Sequence, residues 1–233
     1  MRLDKLLAHI GYGSRKDVKK LIRKGYVKVN DEVVLDDDIQ INEEEDDVII
    51  FDEEIEYSKY TYIIMNKPAG YICANYSNNE RIIFELIDDI PLRGLFTVGR
   101  LDKDTEGLLL ITNDGKLCHN LLSYKNHVEK TYYIIYSGIL NDSKIKRLES
   151  GIEIDDYITK PAKFKKISDT EGELTICEGK FHQVKKMMEA VGCPVVYLKR
   201  IKFGGIELDD NLKLGDYRNL TEEELNILKQ INQ

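Results

Sequence analysis

Gly99-Arg100-Leu101-Asp102-Lys103-Asp104-Thr105-Glu106-Gly107-Leu108-Leu109-Leu110-Ile111-Thr112-Asn113-Asp114-Gly115 is the stretch on which the reading of this 233-residue chain turns. Its apolar run Leu108 to Ile111, closed by Asn113-Asp114-Gly115, predicts a strand buried on both faces, since a surface strand would alternate. A second apolar segment, Leu95-Phe96-Thr97-Val98, leads into it. The charged residues between the two are expected to form a loop pinned between core strands. Such a loop can present Arg100 and Asp102 at a cleft with little freedom, as a reactive carboxylate requires. Taken alone, the same residues are equally compatible with a plain loop ion pair between Arg100 and Asp102.

With 42% hydrophobic residues the chain can bury a core, and its length suits one ordinary domain plus a small one. No window approaches the roughly 18 apolar residues of a membrane span, and the acid at Asp4 argues against a signal peptide. Cys73, Cys118, Cys177 and Cys193 are spread singly, which predicts reduced thiols and a cytoplasmic location. The four His residues form no metal-ligand spacing, so no metal is expected. The net charge of -8 hides strong segregation. Residues 1–30 carry nine Lys or Arg against two Asp, residues 31–59 carry fourteen acids against Lys59, and residues 160–202 carry ten basic residues against five acids. Nucleic acid responds to local potential within a Debye length of about 8 Å, so two basic regions can bind phosphates on an acidic protein.

Leu3, Leu6, Leu7 and Ile10 form one apolar stripe, predicting a short helix that Gly11 closes. Ser14 opens a second helix, with Asp17 three residues on as a short-armed capping box. Val18, Leu21 and Ile22 share one face of it, and Lys16, Lys19, Lys20, Arg23 and Lys24 the other. Tyr26 to Asn30 then reads as a strand leading to a turn at Asn30-Asp31. The order Arg2-Leu3-Asp4-Lys5-x-Leu7, Gly11-x-x-Ser14-Arg15 and Ile22-x-x-Gly25-x-Val27-x-Val29-Asn30 resembles the S4 RNA-binding domain. That resemblance implies that Arg2, Lys5, Ser14, Arg15, Lys16, Lys19, Lys20 and Arg23 contact RNA. The acidic run Glu43 to Asp47 reads as a solvated loop before the strand Val48 to Phe51, and the boundary between residues 1–59 and 60–233 is expected near Ser58.

Beyond it, Tyr60 to Met65 reads as a strand stopped by Asn66-Lys67-Pro68-Ala69-Gly70, Lys116 to Leu122 as a helix and Glu129 to Tyr136 as a strand. Residues 141–150 read as a helix, Pro161 to Ile167 and Glu173 to Cys177 as strands, and Thr221-x-x-Glu224 as a capping box. Val184, Met187, Met188 and Val191 form the buried stripe of another helix.

The Gly99 to Gly115 string, Glu129-Lys130-Thr131-Tyr132, Glu178-Gly179-Lys180-Phe181-His182-Gln183-Val184-Lys185-Lys186-Met187 and Leu198 to Gly205 together resemble the RsuA-like family of ribosomal RNA pseudouridine synthases. The implied fold is α+β: a small S4 module joined to a catalytic domain with a mostly antiparallel sheet. The implied reaction is isomerisation of uridine in RNA, with Asp102 as nucleophile or base, Lys185 as its ion-pair partner, and Arg100 filling the gap left by the flipped nucleotide. Tyr132 would stack on uracil, Leu198 pack against it, and Lys180, His182, Gln183 and Arg200 contact RNA. Attack on the sugar, attack on the base and removal of the C2′ proton all remain open. No cofactor is implied, and neither phosphate-binding Gly motif occurs. Lys180-Phe181-His182 looks like the small-subunit branch, pointing to 16S rRNA in an assembling subunit and a monomeric enzyme. The alternatives are 23S rRNA, an idle RNA-binding assembly factor, and a hydrolase using Asp102 and Asp104 as an acid-base pair.

Overall fold

The computed structural model describes residues 1–42, 46–55, 60–90, 92 and 94–231. The chain divides into two compact units, Met1–Tyr60 with Asp88–Arg93, and Thr61–Ile87 with Gly94–Gln233. Glu43 to Glu45 of the acidic run and the expected boundary at Ser58 lie outside the described residues.

In the first unit, helices α1 (Leu3–His9) and α2 (Arg15–Arg23) precede four short strands, β1 (Val27–Val29), β2 (Glu32–Val33), β3 (Val48–Ile50) and β4 (Glu53–Glu54), ordered β2-β1-β3-β4. Ser14 caps α2 by accepting from the Asp17 N–H, while its hydroxyl donates to the Asp17 carboxylate. Asp17 therefore closes the cap through the Ser14 side chain. Asn30 and Asp31 both take positive φ (50° and 66°), the geometry of a tight hairpin turn after β1. Leu3, Leu6, Leu7, Val18, Ile22, Val27 and Ile50 are buried and form the core, each contributing about 1.5–3 kcal/mol of transfer free energy.

The second unit is built on one sheet. Its strands are β5 (Tyr62–Lys67), β6 (Phe96–Thr97), β7 (Glu106–Thr112), β8 (Lys130–Tyr136), β11 (Lys163–Lys166), β12 (Glu171–Ile176), β13 (Val195–Phe203), β14 (Ile206–Glu207) and β15 (Tyr217–Asn219). The small hairpin of β9 (Glu153–Ile154) and β10 (Tyr157–Ile158) stands apart. Helices α3 (Gly115–Leu122), α4 (Asp142–Ser150), α5 (Gln183–Ala190) and α6 (Glu222–Gln230) complete the unit. The sheet runs β11-β12-β8-β13-β7-β5-β15, with β14 on β13 and β6 on β7. Its strand pairs are antiparallel except β13 with β7, which run parallel. Residues Gly107 to Thr112 of β7 are all buried, as the unbroken apolar run requires. Leu117, Cys118 and Leu121 of α3 and Leu228 of α6 pack with Leu108, Leu110 and Phe203 of the sheet. Strand β5 starts two residues later than Tyr60 and runs through to Lys67.

Candidate active site

The loop from Val98 to Thr105 joins β6 to β7 and is fastened from below. Lys67, the last residue of β5, is fully buried, and its Nζ donates to the carbonyls of Thr105 (2.8 Å), Pro68 (3.0 Å), Asp102 (3.1 Å) and Lys103 (3.4 Å). Gly70 N–H donates to the Lys103 carbonyl (2.7 Å) and Leu101 N–H to Cys73 Sγ (3.4 Å). Burial pulls Lys67 below the ordinary lysine range; the nearby acids and the Cys73 thiol act the other way. Sequence reading treated Lys67 as part of a turn and missed its role. The available signal was a lysine closing a strand whose preceding residues Ile63, Ile64 and Met65 form an unbroken apolar run, the pattern of a strand buried on both faces.

So anchored, the loop holds Asp102 a quarter exposed beside Lys185, the third residue of α5, whose Nζ lies 3.0 Å from Asp102 Oδ2 and 2.6 Å from Asp104 Oδ1. Burial works against the Lys185 charge, but the two carboxylates outweigh it and raise its pKa. Asp104 is held below its ordinary value mainly by the hydrogen bond from Lys185. The ammonium is thus permanently charged at neutral pH and shared by both acids. Arg100 is exposed and forms no ion pair with Asp102, so the loop ion pair left open by the sequence is not formed. His182 precedes α5 in the left-handed region (φ 52°), with Nε2 3.6 Å from Asp102 Oδ1 and its ring stacked on Phe181 at 3.8 Å between centroids.

Tyr132 on β8 and Leu198 on the adjacent β13 are 8% and 5% exposed and line the same pocket as Arg100, Asp102, Lys185 and His182, which encloses about 60 Å³. Close approach of β13 to β7 makes this possible. Gly107 pairs with Arg200 at φ +100°, and a Cβ there would sit 2.2 Å from the Arg200 carbonyl oxygen.

Two expected RNA contacts have other duties. Arg200 is 2% exposed, its Nε donating to the Leu108 carbonyl (2.7 Å), because its side chain lies within the sheet's packed face. Gln183 is 3% exposed, accepting from Lys180 N–H and donating to Glu178 Oε2, both 3.0 Å, so its amide ties the turn before α5. Lys180 lines the pocket and sets its Nζ 5.4 Å from the Tyr157 ring centroid. In the first unit, Arg2 and Arg15 hydrogen-bond buried Asp4, while Lys19 and Arg23 pair with Asp37 at 2.9 and 2.8 Å. The Asp4 carboxyl is held far below its ordinary value, chiefly by Arg2. Asp4, Asp37 and Asp38 cluster closely enough to suggest a cation site, but these side-chain cations already occupy their oxygens. Lys5 and Lys16 are exposed with no ion pair among the described residues, and Lys20 meets only the exposed Asp17.

The family model described as RNA pseudouridylate synthase matches residues 61–190, and that of the S4 domain residues 1–48. An uncharacterized RNA pseudouridine synthase of Bacillus subtilis is 44% identical, covering 99% of both chains. The proteins named ribosomal small subunit pseudouridine synthase A of Haemophilus influenzae and Escherichia coli are 39% and 37% identical, each spanning 97% of this chain and 98% of their own. A crystal structure titled pseudouridylate synthase superposes with a TM-score of 0.69 at 38% identity, over 98% of this chain and 99% of that one. No helix among the described residues is long and apolar enough to cross a membrane. With its family match spanning more than half its length and its relatives aligned end to end, the chain belongs to the RNA pseudouridine synthases, as a member that carries an S4 domain before the catalytic one.

Proposed function

We propose that the protein converts a uridine of 16S ribosomal RNA to pseudouridine, acting as a monomer on an assembling small subunit in the cytoplasm. One observation carries the site assignment: the Asp102 carboxylate lies 3.0 Å from Lys185 at the wall of a pocket completed by Tyr132 and Leu198. In this reading the target uridine leaves the RNA stack, at a cost of a few kcal/mol, and enters that pocket. Arg100 occupies the space it vacates. Tyr132 stacks on the uracil and Leu198 packs against it, a contact sequence-tolerant in itself and amounting to about 1–3 kcal/mol per stacked base.

Lys185 sets a fixed positive charge 3.0 Å from the Asp102 carboxylate, which acts as nucleophile or base. The N1–C1′ bond breaks, the uracil turns, and the C5–C1′ bond forms; the proton lost from C5 is matched by the one gained at N1, so nothing is consumed. The small-subunit substrate is supported by the names of the Haemophilus and Escherichia relatives and by Lys180-Phe181-His182 at the pocket mouth. Lys5, Lys16 and Lys20 supply sequence-independent affinity for backbone phosphates, with Ser14, Arg2, Arg15, Lys19 and Arg23 close by. The test is to delete the gene and map pseudouridine across both large rRNAs. Loss of one 16S site is expected; loss of a 23S site with 16S unchanged would reject the substrate assignment.

A further inference from the structure

Beside the small pocket lies a second cavity of about 710 Å³. The two share Arg100, Leu101, Asp102, Gly179, Lys180 and His182 as walls, so their occupants would be contiguous. The volume falls within the range of pockets that bury a whole small ligand. Ile72, Ala74 and Leu122 give it an apolar side, and Tyr124 and Phe181, each 71% exposed, stand at its edge.

Lys130 forms part of the same wall and has no place in the chemistry above. It is 7% exposed, and its Nζ donates to one acceptor, the Val128 carbonyl at 2.8 Å. An ammonium carries three donors. Around it are Arg200, the Phe203 ring (5.3 Å to the centroid) and Cys177, and no carboxylate lies within 4 Å among the described residues. Burial, then repulsion from Arg200, pulls Lys130 down to about 8. The carboxylates in the wall are already engaged: Glu178 accepts from Lys160 N–H (2.9 Å) and Gln183 Nε2 (3.0 Å), and Asp102 faces Lys185. A buried cation with unused donors at a cavity wall is costly to the fold and well suited to an anion arriving from outside.

We propose that this cavity is a second nucleotide subsite, seating the nucleotide next to the target uridine with its base against the apolar side and Tyr124 and its phosphodiester on Lys130. The inference rests on the proposed function and adds to it that the substrate must present two adjacent unstacked nucleotides. A loop or an unfolded segment satisfies this; a regular helix does not.

Wild type is first assayed on unmodified 16S and 23S transcripts. A short RNA around the converted uridine is then made with one uncharged methylphosphonate linkage at a time, each beside a 2′-deoxy sugar. At one linkage adjoining the target, KM for wild type should rise about tenfold. In Lys130→Met that increment should vanish while increments at other linkages persist. Tyr124→Ala, a change at an exposed ring that the fold tolerates, should couple in the same manner to removal of the base at that nucleotide. Coupling in either cycle supports the subsite. Additivity in both, with wild-type conversion intact, overturns it; absence of pseudouridine from both transcripts overturns the enzymatic reading beneath it.

Discussion

Two buried lysines, Lys67 and Lys130, have no carboxylate partner among the described residues and predict opposite outcomes because their acceptors differ. Lys67 satisfies four loop carbonyls, so Lys67→Met leaves buried acceptors empty and should destabilise the protein by about 2–4 kcal/mol in denaturant melts, with activity falling as the Asp102 loop loosens. Lys130 satisfies one, so Lys130→Met removes more desolvation cost than bonding and should raise stability. The sign with pH follows from its folded value of about 8 against an ordinary 10.5. Below about 8 both states hold the proton and the variant keeps its full advantage. Between the two values the unfolded wild type holds a proton that the folded one has shed, so the advantage should shrink by up to about 3 kcal/mol as pH rises. A gap independent of pH would contradict a buried, depressed Lys130. At this scale the sequence was legible where a residue sat in a long matching string, as with Asp102 and Lys185. It was silent where a side chain's worth depends on carbonyls brought from elsewhere, as with Lys67.

Among elements, the unbroken apolar run of β7, the alternation of β12 and the buried stripe Val184, Met187 and Met188 of α5, continued by Val191 just past its end, follow from local pattern, and the structure bears them out. The partner of β7 does not follow from it. Strand β13 arrives about ninety residues later and inserts between β7 and β8, parallel to the first and antiparallel to the second, placing Leu198 beside Tyr132 and burying Arg200, for which the resemblance implies contact with RNA. Strand pairing at such separation leaves no local trace except Gly107, whose missing side chain admits the Arg200 backbone. Gly107→Ala combines a strained φ with an unavoidable clash and should cost more than about 3 kcal/mol, read by urea denaturation. A variant melting like wild type would contradict the parallel pairing.

For the whole molecule, summing charge along residues 1–30 overstated the cations free to meet RNA. Asp4, Asp37 and Asp38 take Arg2, Arg15, Lys19 and Arg23, and two of those acids come from a segment that reads as a separate acidic block. Replacing Lys16, Lys20 and Arg23 together by Gln should still weaken RNA binding and flatten its salt dependence, by about 0.7 log units per lost phosphate contact on single strands and 0.9 on duplex. The free Lys16 and weakly held Lys20 should account for most of the change. An unchanged slope would discard RNA docking through this face. The most direct test of the account concerns Asp102, because the anchored loop, the shared Lys185 and the pocket lined by Tyr132 and Leu198 all converge on it. Wild type and Asp102→Asn are compared for pseudouridine formation by chemical mapping on an unmodified 16S transcript, with thermal melts alongside. The account predicts one converted uridine with wild type, less than a tenth of that rate with the variant, and matching melts. An Asp102→Asn protein that folds and retains a tenth of the rate or more would contradict it.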